Sequence, residues 1–149
     1  MIIYTMGFSK KTAREFFSRI TENKIDVLID VRLNNKSQLA GFAKSIDLEY
    51  FLNVISHVPY AYEPLFAPTK ELLKDWRNGL ISWDEYRKTF TEIMDTREVE
   101  RVFNDLFSGY ERPLLLCSEA TPEHCHRRLL AERFAGALGP ENVTTIRHL

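Results

Sequence analysis

Short apolar runs alternate along this chain with longer stretches in which apolar residues return at helical spacing. Ile2-Ile3-Tyr4 is a β-type run that stops at Thr5-Met6-Gly7. Ser9 then precedes a helical pattern to about Glu22, with Phe16, Phe17 and Ile20 on one face. Residues 25–31, Ile-Asp-Val-Leu-Ile-Asp-Val, form the clearest strand, and its near-continuous β-formers suit a parallel strand covered on both faces. Residues 32–44 are polar and read as a loop. Leu48, Phe51, Leu52 and Ile55 predict a helix over 46–56, and Tyr60-Ala61-Tyr62 predicts a weak strand between Pro59 and Pro64. The pattern from Thr69 to Met94 is helical with a break near Asn78-Gly79. Its bulk comes from Trp76, Trp83, Tyr86 and Phe90, which read as core. A helix over 96–107, a strand over 113–117, a helix over 122–138 and a strand over 143–146 complete the series.

Strands alternating with helices predict a three-layer α/β/α fold with a mainly parallel sheet. No repeat or linker divides residues 1–149, so one domain is expected. In such folds the carboxyl ends of the strands share an edge, where ligands bind. Three segments are expected to meet there: residues 4–7, 30–32 and 117–119.

Composition removes some classes of function. A formal net charge of -1 gives no global attraction to polyanions, so any anion binding needs a local cluster. Two cysteines are too few for a secreted disulfide scaffold. With no leader pattern and no apolar run near the ~20 residues that span a bilayer, a reduced cytoplasmic protein without membrane contact is expected.

The chemistry is concentrated between Cys117 and Arg128, which hold both cysteines, two histidines, two acids and two arginines. Thr121 reads as an N-cap and Pro122 as the first helical residue. Cys125 then falls in the first helical turn, where N–H groups and the dipole stabilise a thiolate. Cys117, at the exit of a buried strand, is either a small apolar residue or a second active thiol. Glu119 is a candidate acid–base group or an ion-pair partner. His126 is the better placed histidine, and His124 is expected in solvent. Four ligand types occur together, but three consecutive helical residues diverge by about 100° each. The spacing therefore predicts no metal and no cofactor.

Asp30 and Arg32 share one side of their strand. They either anchor a loop or orient a substrate, with Arg32 holding phosphate or carboxylate. Lys36, Ser37, Phe42 and Lys44 follow in a polar loop able to stack a base and hold its phosphate, or simply to pin itself to the core. Thr5-Met6-Gly7-Phe8-Ser9 is a strand-to-helix turn able to offer N–H groups to an anion. It lacks the three-glycine dinucleotide fingerprint and the phosphate loop.

In order along the chain, Tyr4-Thr5-Met6-Gly7-Phe8-Ser9, Leu28-Ile29-Asp30-Val31-Arg32, Gly41-Phe42-Ala43-Lys44, Tyr60-Ala61-Tyr62, and Leu115-Leu116-Cys117-Ser118-Glu119 with Cys125-His126-Arg127 resemble the signatures of the DUF488 family. The resemblance implies an α/β fold and leaves function open. It points to Gly7, Asp30, Arg32, Lys44, Cys117, Glu119, Cys125, His126 and Arg127 as the family-type polar set. Residues 63–68, Glu-Pro-Leu-Phe-Ala-Pro, stand where such proteins commonly carry Leu-Gly. A second likeness, to rhodanese-like sulfurtransferases, rests on residues 28–32 and a strand ending in cysteine. The related phosphatase loop has arginine six residues after its cysteine, whereas Glu123 stands there here.

These readings leave three alternatives. One is an enzyme acting on a nucleotide, nucleic-acid end or other phosphate-bearing substrate: Thr5, Gly7, Arg32, Lys44 and Arg127 hold the anion, Glu119 is the acid–base group, Cys117 or Cys125 is the nucleophile, and His126 and Asp30 assist. Another is a non-catalytic nucleic-acid-binding module using Arg32, Lys36, Lys44 and Arg127. The third is a thiol-based redox regulator with a reversible Cys117–Cys125 disulfide, or a rhodanese-like sulfurtransferase. Sequence assigns no oligomeric state.

Overall fold

Pro113–Cys117 is buried at every position and forms the centre of a five-stranded sheet. In the computed structural model, which describes residues 1–36, 40–142 and 145–149, the strands are β1 (Ile2–Gly7), β2 (Val27–Asp30), β3 (Tyr60–Tyr62), β4 (Pro113–Cys117) and β5 (Thr145–His148). Their spatial order is β3-β2-β4-β1-β5, and every pairing is parallel. The helices are α1 (Ala13–Glu22), α2 (Ser45–Phe51), α3 (Lys70–Arg77), α4 (Trp83–Thr96), α5 (Val99–Phe107) and α6 (His126–Leu138). The protein is thus an α/β fold, as its alternating pattern predicts. Ser37 and Val143 lie outside the described residues.

The sheet separates two apolar cores. On one face, Phe16, Phe17 and Ile20 of α1 and Leu48 of α2 pack against Tyr4, Met6, Leu28, Leu114 and Leu116. On the other, residues of α3 to α6 pack against Ile3, Ile29 and Leu115, and Phe103 stacks on Phe134 at 4.1 Å. Side chains alternate across a strand, so continuous apolar sequence is what burial on both faces requires. Each fully buried leucine of β4 contributes roughly 1.5–3 kcal/mol through burial.

Some boundaries differ from expectation. The first helix starts at Ala13, capped by a reciprocal Thr12–Glu15 box, rather than directly after Ser9. Lys10 takes a left-handed φ of 59°, which keeps residues 8–11 out of the helix. The expected helix over 46–56 is α2 followed by a π-helical turn at Leu52–Ser56, ended by His57 at φ 54°. The last helix begins at His126 rather than Pro122.

Strand order also places the site. β1 and β4 are neighbours, yet α1 follows β1 onto one face and α6 follows β4 onto the other. Chains leaving adjacent strands in opposite directions open a crevice at their carboxyl ends. Gly7 and Cys117 are paired at that crevice.

Candidate functional site

β4 delivers Cys117 to the sheet edge, and the chain then turns through Ser118–His124 before α6. Cys125 is the N-cap of α6, with extended φ -134° and ψ 136°. That conformation corrects two expectations. Cys125 is outside the first helical turn. The 100° divergence between consecutive helical residues does not separate Cys125 from His126, because only His126 is helical. Cys125 Sγ therefore comes within 3.1 Å of Cys117 Sγ, and His126 Nδ1 lies 3.8 Å from Cys117 Sγ and 4.0 Å from Cys125 Sγ. The two sulfurs and an imidazole nitrogen all lie within 4.8 Å of one another.

The ring of His126 is held from behind. Its Nε2 is 2.8 Å from the carbonyl oxygen of Val31, so Nε2 carries the proton and Nδ1 faces the sulfurs. The Cys125 thiol donates to Cys117, and that hydrogen bond is the main reason the Cys117 thiol is held well below its usual range. His126 adds to the effect and burial opposes it. The same hydrogen bond, with burial, pushes the Cys125 thiol up. Sequence favoured Cys125 as the thiolate, whereas the geometry favours Cys117. Burial disfavours protonated His126 most strongly, but the Cys117 thiolate and the Val31 carbonyl together outweigh it and raise the histidine.

Arg127 is fully buried. Its Nη1 donates to the Glu119 carbonyl oxygen at 2.5 Å and to Cys125 Sγ at 3.6 Å, and its Nε donates to Thr5 Oγ1 at 3.4 Å. Among the described residues Nη2 has no hydrogen-bond partner and no carboxylate pairs with this guanidinium. Thr5 Oγ1 also lies 2.7 Å from His148 Nδ1, a contact that sequence did not suggest.

Asp30 and Arg32 do pair, with Nε to Oδ1 at 2.8 Å and Nη2 to Oδ2 at 2.7 Å. Tyr60 donates its hydroxyl to Asp30 Oδ2 at 2.6 Å, so both carboxylate oxygens are taken. Burial, then Asp30, holds the Tyr60 hydroxyl above its usual range. Arg32 also lies 5.4 Å over the Phe8 ring centroid, a cation–π distance.

The remaining candidates are placed as follows. Glu119 is exposed and lines the cleft that reaches the thiols, and its main-chain carbonyl accepts from Arg127. Lys44 stands at the N-cap position of α2 and makes no side-chain capping hydrogen bond. The N–H groups of Phe8 and Ser9 bond to the carbonyls of Cys117 and Ser118, so they are taken by protein rather than free for an anion. His124 is exposed but lies against Trp76 and Trp83, at ring distances of 5.8 and 5.1 Å. Arg32 is 3% exposed and Arg127 is fully buried.

A narrow cleft of about 60 Å³ leads to the thiols between Arg32, Trp76, Tyr86 and His124. That is room for a few water-sized groups. Beyond it, sharing Asn34, Arg77 and Ser118, opens a groove of about 500 Å³ that Lys10 and Lys11 also line. Burial, with Arg19 and Arg127 nearby, lowers the Lys11 ammonium from its usual range. Lys10, Lys11 and Arg77 carry no signal in the sequence, because only the fold brings the 8–11 turn beside the end of α3. No described helix is long and apolar enough to cross a membrane.

A family model described as "Domain of unknown function DUF488" matches residues 12–134. No curated protein and no solved structure matches the chain.

Proposed function

The chain belongs to the DUF488 family, and from that premise and the geometry of the site we propose that it is a dithiol redox protein. Cys117 is its nucleophile and Cys125 its resolving thiol. The observation that carries this reading is the 3.1 Å approach of the two sulfurs. A low-pKa thiol beside a resolving cysteine is the arrangement that redox-active pairs use.

The narrow cleft restricts the oxidant to a small molecule such as a hydroperoxide. The Cys117 thiolate attacks one peroxide oxygen; an S–O bond forms, the O–O bond breaks, and the leaving oxygen takes a proton. Cys125 then attacks the resulting sulfenic sulfur. An S–S bond forms, and hydroxide leaves as water with the proton that Cys125 gives up. His126 Nδ1 faces both sulfurs and is the base that can carry that proton. A small external thiol restores the pair by exchange.

Intact-mass measurement tests this reading. Metal-free reduced protein treated with limiting hydrogen peroxide is expected to lose two hydrogens, and a small thiol is expected to restore them. A stable sulfenic or sulfinic adduct in place of the disulfide would overturn it.

One observation favours a second reading, an anionic substrate. The groove beside the thiols is lined by Lys10, Lys11 and Arg77, and no carboxylate is among its lining residues. This is the phosphate-bearing substrate of the sequence reading, moved from Arg32, Lys44 and Arg127 to other cations. Inorganic pyrophosphate and nucleotides are expected to raise Tm in wild type and not in Lys10→Ala/Lys11→Ala. Equal stabilisation of both proteins, or of neither, would remove the reading.

A further inference from the structure

We propose that Cys117, Cys125 and His126 form a three-ligand site for a thiophilic metal ion, monovalent copper. The proposal deepens the dithiol reading, because it uses the same pair in the reduced state.

Ligand chemistry is the first support. Two sulfurs and one imidazole nitrogen converge within 4.8 Å, and thiolates select soft ions. A metal about 2.3 Å from each sulfur needs the sulfurs roughly 3.8 Å apart for a tetrahedral angle, and somewhat more in a trigonal site. The present separation is 3.1 Å, so the pair has to open by under about 1 Å. The nitrogen is already at ligand–ligand distance, 3.8 and 4.0 Å from the two sulfurs.

The support behind the histidine is independent of the sulfurs. A ligating imidazole commonly donates its other N–H to a carbonyl, which fixes ring and tautomer. His126 meets this with Nε2 on the Val31 carbonyl, leaving the Nδ1 lone pair towards the thiols.

Charge selects the ion. Arg127 is fully buried, holds Cys125 Sγ with Nη1, and has no carboxylate partner among the described residues. A buried cation of this kind calls for one compensating negative charge. Two thiolates with a monovalent ion carry a net charge of one minus, which matches it. The same ligands around a divalent ion are neutral and leave the guanidinium uncompensated. Binding proceeds with release to solvent of the proton on Cys125 and of any proton still shared between Cys117 and His126 Nδ1, with no change in oxidation state.

The test is anaerobic titration of the reduced full chain with monovalent copper against a competing chelator, with zinc in parallel. One equivalent of copper is expected to bind, with a sulfur-to-metal ultraviolet band. Affinity is expected to fall more than about 100-fold in Cys117→Ser and in Cys125→Ser, and about 10–100-fold in His126→Asn. Circular dichroism checks that each variant is folded. Should His126→Asn fail to fold, proton NMR of the wild-type imidazole replaces it, with a shift of the His126 ring on copper addition as the expected result. Copper affinity unchanged in either cysteine variant, an unmoved His126 ring, or zinc binding without copper binding would each overturn the site. Disulfide formation in metal-free protein is read separately, so failure of the copper site and failure of the redox reading give different results.

Discussion

A β-carbon built on Gly7 would stand 1.6 Å from the carbonyl oxygen of Glu119 and 3.0 Å from Arg127 Nη1. The same carbonyl accepts the Arg127 hydrogen bond. Gly7 is therefore the space through which the loop after β4 passes over the end of β1. Gly7→Ala has to push main chain, because β1 is fixed by β4 and β5 on its two sides. The expected cost is about 3 kcal/mol, at the upper end for overpacking. It is read as a lower urea midpoint, with slower disulfide formation if the fold survives. An unchanged midpoint would show that the loop is free to move.

Asp30 is fully buried and pairs with Arg32, which is 3% exposed. Removing one charge leaves the other buried without compensation. Asp30→Asn is expected to cost about 3–5 kcal/mol, and Tyr60→Phe about 1.5–3 kcal/mol through the lost hydrogen bond to a charged carboxylate. Both residues act on one carboxylate, so the double variant is expected to lose less than the sum. Chemical denaturation of the four proteins checks this. Strict additivity would mean that Tyr60 does not hydrogen-bond Asp30 in solution.

Much of the fold is legible because burial on both faces writes itself into the sequence as continuous apolar strands. Residues 113–117 are bounded correctly for that reason. The start of α6 is not, because Thr121-Pro122 is a good helix opening that the chain does not use. The extended φ and ψ of Cys125 decide which side chains meet, and no periodicity reports them. Asp30 and Arg32 were readable as a pair from their spacing of two. Val31 behind His126 is a contact between residues 95 apart in sequence, and Arg127 against Thr5 is one between residues 122 apart, so neither is visible in the local pattern. Lys10 and Lys11 were hidden because a surface charge says nothing alone about which groove it lines.

Glu119 separates a main-chain role from a side-chain role. Its carbonyl holds Arg127, while its side chain is exposed. Glu119→Gln keeps the carbonyl and is expected to leave both stability and the rate of disulfide formation within about twofold of wild type, as surface substitutions usually do. A rate loss of tenfold or more would return Glu119 to the acid–base role that its sequence position suggests.

The reactivity of Cys117 should follow pH with a specific sign. Thiolate, the reactive form, accumulates as pH rises through the thiol pKa. The hydrogen bond from Cys125 is the largest cause that lowers the Cys117 value; His126 adds to it, and burial opposes both. In metal-free wild type the rise in alkylation by iodoacetamide should therefore fall below the usual cysteine range, and reactivity should be lost only on acidification. Cys125→Ala removes the donor and should move the rise to higher pH. Cys117→Ser identifies the reacting thiol, since Cys125, held high by the same hydrogen bond and by burial, should contribute little near neutrality. Mass-resolved alkylation rates from pH 5 to 10 in the three proteins decide the matter. A wild-type profile that coincides with that of Cys125→Ala would show that the neighbouring thiol does not hold Cys117 as thiolate.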